Sequence, residues 1–112
     1  MVYGLKNHYI WVMNTILAFL RQLEANNNKP WFDEHKDEYQ QARSRFNAIV
    51  EKLIEGITSF DPSVKGVGIK ESTYRIHKDM RFSKDGLPYK THFGAFICRG
   101  GKKSGYSGYY FH

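Results

Sequence analysis

Apolar positions over the first sixty residues recur at helical spacing. Ile16, Leu17, Phe19, Leu20 and Leu23 form one stripe of an amphipathic helix that Asn14 or Thr15 can cap. Asn26-Asn27-Asn28 should end it, because asparagine tolerates left-handed backbone, and Lys29-Pro30 places a proline in the first turn of the next helix. From Trp31 onward, Phe32, Tyr39, Ala42, Phe46, Ile49, Val50, Leu53, Ile57 and Phe60 follow mostly at steps of three and four, predicting a long second helix. Asp33, Glu34, Asp37 and Glu38 lie early in it and Arg43, Arg45 and Lys52 later, the polarity that suits a helix dipole.

After the turn signal Asp61-Pro62-Ser63 the apolar period shortens toward two and glycine becomes frequent. Four strands are expected: residues 64–70 (weak), 72–79 (with Tyr74 and Ile76 on one face), 91–98, and 106–112 after the turn at Gly100-Gly101. In the third, Phe93, Ala95 and Ile97 share one face, with His92, Gly94, Phe96 and Cys98 on the other. The polar connector 81–90 carries Asp85-Gly86 and Leu87-Pro88 punctuation. The fold class expected is α+β, two N-terminal helices packed on a mainly antiparallel sheet.

A chain of 112 residues with 41% hydrophobic content is the size of one domain and has material for a core. Its single cysteine, Cys98, rules out an internal disulfide and is read as a packed thiol, which suits a reducing, cytoplasmic setting. No apolar run approaches the roughly 20 residues of a membrane span, and no signal peptide is legible, so no membrane partner is expected. The net charge of +6 changes the picture once it is placed. Residues 1–56 hold seven Lys/Arg against seven Asp/Glu, and residues 57–112 hold ten against four. The whole excess lies in the sheet half, which calls for an anionic partner.

Several ordered segments resemble one family. They are Asn26-Asn27-Asn28-Lys29-Pro30-Trp31-Phe32, Tyr74-Arg75-Ile76, Asp79-Met80-Arg81-Phe82-Ser83-Lys84-Asp85 and Pro88-Tyr89-Lys90-Thr91-His92-Phe93-Gly94-Ala95, followed by Gly100-Gly101-Lys102-Lys103-Ser104 and Gly108-Tyr109-Tyr110-Phe111-His112. The family is domain of unknown function 2461, and the resemblance runs from about Met13 to the end. It implies an intracellular protein of a kind found in bacteria and fungi, and brings no established reaction. Family chains continue past the block that ends here, so this chain reads as the N-terminal part of a longer domain, with residues 1–12 an upstream extension and 13–112 a single α+β domain. Lys78, where the family often has arginine, and Gly86, where lysine is common, soften the basic motif.

The foremost candidate site is Arg75, His77, Asp79, Arg81, Lys84, Lys90 and His92. Strand alternation puts Arg75, His77 and Asp79 on one face, and the connector returns Lys90 and His92 toward the same sheet. Such a set can grip a phosphate or carboxylate, with arginine as a fork and lysine as a point charge, while an ordinary ion-pair network about Asp79 accounts for the same residues. A secondary set, Lys102, Lys103 and Tyr109 with Tyr106 and Tyr110, mixes cations and stacking surfaces as single-stranded nucleic-acid sites do, or is a plain hairpin turn beside a sheet edge. The spacing of His77, His92 and His112 demands no metal, and neither metal nor cofactor is expected. The expected function is a phosphate- or nucleic-acid-binding module with a basic sheet face. The alternatives are an enzyme in which Arg75, Arg81 and Lys90 hold an anionic substrate while His77 or His92 exchanges protons, and a truncated fragment without function. The aromatic final strand also predicts self-association through its edge.

Overall fold

The computed structural model describes residues 2–78 and 85–112, with backbone alone for residues 2–9. The elements are α1 (Val2–Ala25), α2 (Lys29–Glu34), α3 (Lys36–Thr58), a 3-10 turn (Pro62–Val64), α4 (Ile69–Ser72), β1 (Ala95–Cys98) and β2 (Gly108–Phe111). Helices and a two-stranded antiparallel sheet make this an α+β fold, as expected. Among the described residues no helix is long and apolar enough to cross a membrane. The chain divides into two compact units, Met1–Arg45 with His77–Thr91, and Phe46–Ile76 with His92–His112.

In the first unit, α1 begins well before the expected cap. Thr15 does not cap a helix, because its hydroxyl donates back to the Val12 carbonyl at 2.7 Å, a bond that mid-helix threonine makes within a continuing helix. The buried stripe is therefore Val12, Ile16, Phe19, Leu20 and Leu23, and Leu17 lies off it at 44% exposure. Termination in the asparagine run holds. Asn28 caps α2 by accepting the Trp31 N–H at 2.9 Å, with Pro30 in the first turn. The expected single second helix is interrupted at His35, whose N–H donates to both Trp31 and Phe32 carbonyls and whose ring stacks on Trp31 at 4.1 Å. Neither glycine nor proline marks this break, so the apolar period runs through it.

Segment 77–91 belongs with these helices. Its Tyr89 is 3% exposed and stacks on Phe32 at 4.2 Å and 15°. Asn27 pairs with the Tyr89 backbone as a neighbouring strand would, its Oδ1 accepting the Tyr89 N–H at 3.0 Å and its Nδ2 donating to the Tyr89 carbonyl at 2.8 Å. His77 and Tyr89 form an isolated antiparallel bridge, and the Lys78 N–H donates to the Pro88 carbonyl at 2.9 Å.

In the second unit, residues 64–70 are not a strand. Asp61 caps the 3-10 turn, Gly66 takes a left-handed φ of 84°, and Gly68 precedes the single helical turn of α4. Two closely spaced glycines interrupt any ladder there. The expected strand 72–79 reduces to isolated bridges, Thr73 with Ala95 and His77 with Tyr89, and Asp79 lies outside the described residues. The remaining two strands are real but shorter, paired Ala95↔Phe111, Phe96↔Tyr110, Ile97↔Tyr109 and Cys98↔Gly108. Ala95, Ile97, Tyr109 and Phe111 share the face turned to α3, where Phe46 meets Phe93 at 5.3 Å and stacks on Phe111 at 5.8 Å. Val50, Val64, Ile76 and Ile97 are at most 1% exposed.

Replacing Asn27 by alanine leaves both polar groups of the buried Tyr89 backbone without that partner and should cost about 2 kcal/mol in chemical denaturation. Asn27→Asp keeps the acceptor alone and should lie between the two. In the hairpin, a Cβ at Gly108 runs into the Ile97 carbonyl oxygen and the Cys98 Cβ. Gly108→Ala should therefore destabilise by about 1–3 kcal/mol, read by thermal or urea melting.

Candidate functional site

The residues singled out by sequence fall into both units. His77 and Lys90 lie in the first, Arg75 and His92 in the second, and Asp79, Arg81 and Lys84 lie outside the described residues. In the first unit, His77 is exposed as a residue, yet its ring lies edge-on to Phe32 at 5.8 Å and tilted against Tyr89 at 5.3 Å. Lys90 follows Tyr89 directly and is half-buried. The neighbouring Lys78 ammonium reaches both carboxylate oxygens of Asp85 at 2.8 and 2.9 Å, while Asp85 also accepts the Leu87 N–H at 2.9 Å. That pairing closes the turn at Gly86, whose φ is 71°. On α3, burial holds the Arg43 guanidinium below its ordinary value, and the nearby Tyr39 opposes the shift.

In the second unit, the hairpin gathers more of the chemistry. Phe96 and Tyr110 oppose each other on the face away from α3, and alternation carries that face to Gly94 and His112. Contacts agree. The missing Cβ of Gly94 leaves room that Tyr74 Cδ2, the Tyr110 hydroxyl and His92 Cδ2 border at 3.4, 3.5 and 4.0 Å. The His92 and His112 rings meet edge-on at 4.8 Å, and Tyr110 lies 5.5 Å from His112. Tyr74 reaches this face because its N–H donates to the Gly94 carbonyl at 3.0 Å.

The turn between β1 and β2 fixes a cation beside these rings. Lys102 donates its backbone N–H to the Glu71 carbonyl at 2.8 Å and its ammonium to the Lys70 carbonyl at 3.0 Å, which holds the ammonium 5.9 Å from the Tyr74 ring centre. Gly100 and Gly101, with φ of 76° and 93°, make this docking sterically open. Ser104 closes the turn by donating to the Arg99 carbonyl at 2.6 Å, and the buried Cys98 thiol donates to the Gly101 carbonyl at 2.9 Å. Arg99 sits over Tyr106 at 5.1 Å, and Lys103 is exposed. Tyr109 faces the other way, toward α3, and donates its hydroxyl to Asp61 at 2.9 Å.

A family model for a conserved hypothetical protein, DUF2461, matches residues 15–112. This chain is a member of DUF2461. No curated protein and no solved structure matches it. Within the matched residues, Gly100 to Ser104 is the docked turn and Gly108 to Phe111 is β2, with Tyr110 outward and His112 beside it. Sequence reasoning had Tyr74 on a strand with Ile76 and did not bring it to the hairpin. The signal was weak, since a lone bridge at Thr73 has no periodicity to read. Among the described residues no three His, Cys, Asp or Glu side chains converge as metal ligands would. A groove lined by Glu51, Ile54, Glu55, Thr58 and residues 66–69 in the same unit carries two carboxylates and is unsuited to an anion.

Asp61 accepts from the Ser63 N–H and hydroxyl as well as from Tyr109, and these bonds hold its carboxyl below the usual range. The same bond raises the Tyr109 hydroxyl above 10.0. A depressed carboxyl stabilises the fold above its unfolded value, and that contribution disappears as pH falls through the folded one. A raised phenol contributes below its unfolded value and loses that contribution as pH rises through the folded one. Tyr109→Phe should therefore reduce stability at neutral pH and flatten the stability profile both below about pH 4 and above about pH 10, in melting experiments across that range.

Proposed function

We propose that this protein is a binding module for phosphate-bearing ligands and that the β1–β2 hairpin is its grip. One observation carries the reading. Residues 92–112 contain Arg99, Lys102, Lys103, His92 and His112 and no aspartate or glutamate. An anion approaching this stretch meets a cationic turn whose own carbonyl-anchored Lys102 is already positioned, so little side-chain order is lost on binding there. Lysines supply point charges and Arg99 a planar fork. Arg75 belongs to the same unit and adds a further exposed cation.

A second reading draws on the His92–His112 pair, whose rings lie 4.8 Å apart on the same hairpin face. Two imidazoles beside bound phosphate can pass a proton, the arrangement of an enzyme acting on an anionic substrate. His92→Gln that abolishes turnover of a phosphoester while retaining phosphate affinity would favour catalysis over binding alone.

The binding reading is tested by calorimetric titration with inorganic polyphosphate between about 50 and 200 mM salt. Affinity should fall linearly on a log–log plot, and Lys102→Gln with Lys103→Gln should lower the slope by about 1–2. Absence of binding at the lowest salt would overturn it.

A further inference from the structure

The hairpin whose turn carries the cations also carries exposed rings, and this bears on what kind of phosphate compound fits. Tyr110 is 58% exposed and Tyr106 53%. Phe96, opposite Tyr110, is half-buried, and Tyr74 is held at the Gly94 side of the same face. Tyr109, the neighbouring tyrosine on β2, is turned to the other face, where its hydroxyl is tied to Asp61 while 39% of the residue stays exposed. Cations lie next to the rings: Lys102 is 5.9 Å from Tyr74 and Arg99 is 5.1 Å from Tyr106.

A plain phosphate or polyphosphate chain uses only the cations. Tyr110 and Phe96 offer it nothing, because an anion is repelled by the negative face of a ring. A single-stranded nucleic acid uses both parts: its backbone follows the positive charge while its unstacked bases lie on the rings, each such contact being sequence-tolerant. A duplex hides its base faces and forfeits the second part. We infer that the occupant of the hairpin face is single-stranded nucleic acid, with Tyr110 and Phe96 as the stacking surface and Arg99, Lys102 and Lys103 tracking the backbone. The inference rests on the phosphate-binding reading above and narrows its ligand class. Charge complementarity argues for this occupant: Arg99, Lys102 and Lys103 outnumber the carboxylates that meet the hairpin, Asp61 on the Tyr109 face and Glu71 beside Gly101.

The experiment is fluorescence anisotropy on the full chain with a labelled oligothymidylate, beside an abasic strand of equal length, the corresponding duplex, and inorganic polyphosphate as competitor. The expected result is that the oligothymidylate binds at least tenfold tighter than the abasic strand and the duplex. Tyr110→Leu should weaken it about tenfold without altering the salt slope, because stacking contributes to affinity and not to counterion release. Equal affinity for the abasic strand or the duplex would overturn the inference while leaving phosphate binding intact. Failure of every polyanion to bind would overturn both. Because the abasic comparison changes the ligand and not the protein, it decides the matter even where Tyr110→Leu disturbs folding.

Discussion

An asparagine side chain serves as a strand in this protein, and the path of the chain depends on it. The stretch 77–91 belongs with the N-terminal helices, and its described residues include the bridge of His77 with Tyr89 and the bond from the Lys78 N–H to the Pro88 carbonyl. Buried backbone groups must be paired, and Tyr89 is nearly fully buried. Asn27 satisfies its N–H and its carbonyl together, which an amide can do because it has the donor and acceptor geometry of a peptide group. Phe32 then covers the Tyr89 ring. The asparagine run after α1 therefore both ends a helix and holds a segment 62 residues farther along the chain.

A comparable economy shapes the hairpin. Two four-residue strands are marginal by themselves, and the short sheet is braced at both ends. At one end the turn docks on α4 through Lys102, and Gly108 lies flat against Ile97 and Cys98 where no side chain fits. At the other, Phe46 packs against Phe93 and Phe111, and Tyr109 is tied to the Asp61 cap. With one face of the sheet committed to α3, the opposite face is left to Phe96, Tyr110 and the two histidines. The outward chemistry is what remains after packing has taken every second residue.

How much of this the sequence disclosed follows from which interactions have a period. The helical stripe through Ile16, Phe19, Leu20 and Leu23, the stop at the asparagines, the proline start of α2 and the alternation through Phe93, Ala95 and Ile97 were legible because each is a local pattern. The early start of α1 was not, since Thr15 resembles a cap and only its bond to Val12 shows otherwise. Strand 64–70 was misread because valine and isoleucine spaced by two suggest alternation, whereas Gly66 and Gly68 turn the chain into α4. The bond from Asn27 to Tyr89 spans 62 residues and has no local trace at all.

The same distinction governs the candidate site. Alternation relates residues only within one continuous ladder, and among the described residues Thr73 bridges Ala95 while His77 bridges Tyr89. Lys102, by contrast, reaches Tyr74 through a glycine turn whose two left-handed residues allow close docking, a constraint that Gly100 and Gly101 write into the sequence directly. In the hairpin, cations and rings lie within 21 consecutive residues, 92–112, that hold no aspartate or glutamate, and within one unit. In so short a stretch, the left-handed turn at Gly100 and Gly101 sets where the cations stand relative to β1 and β2.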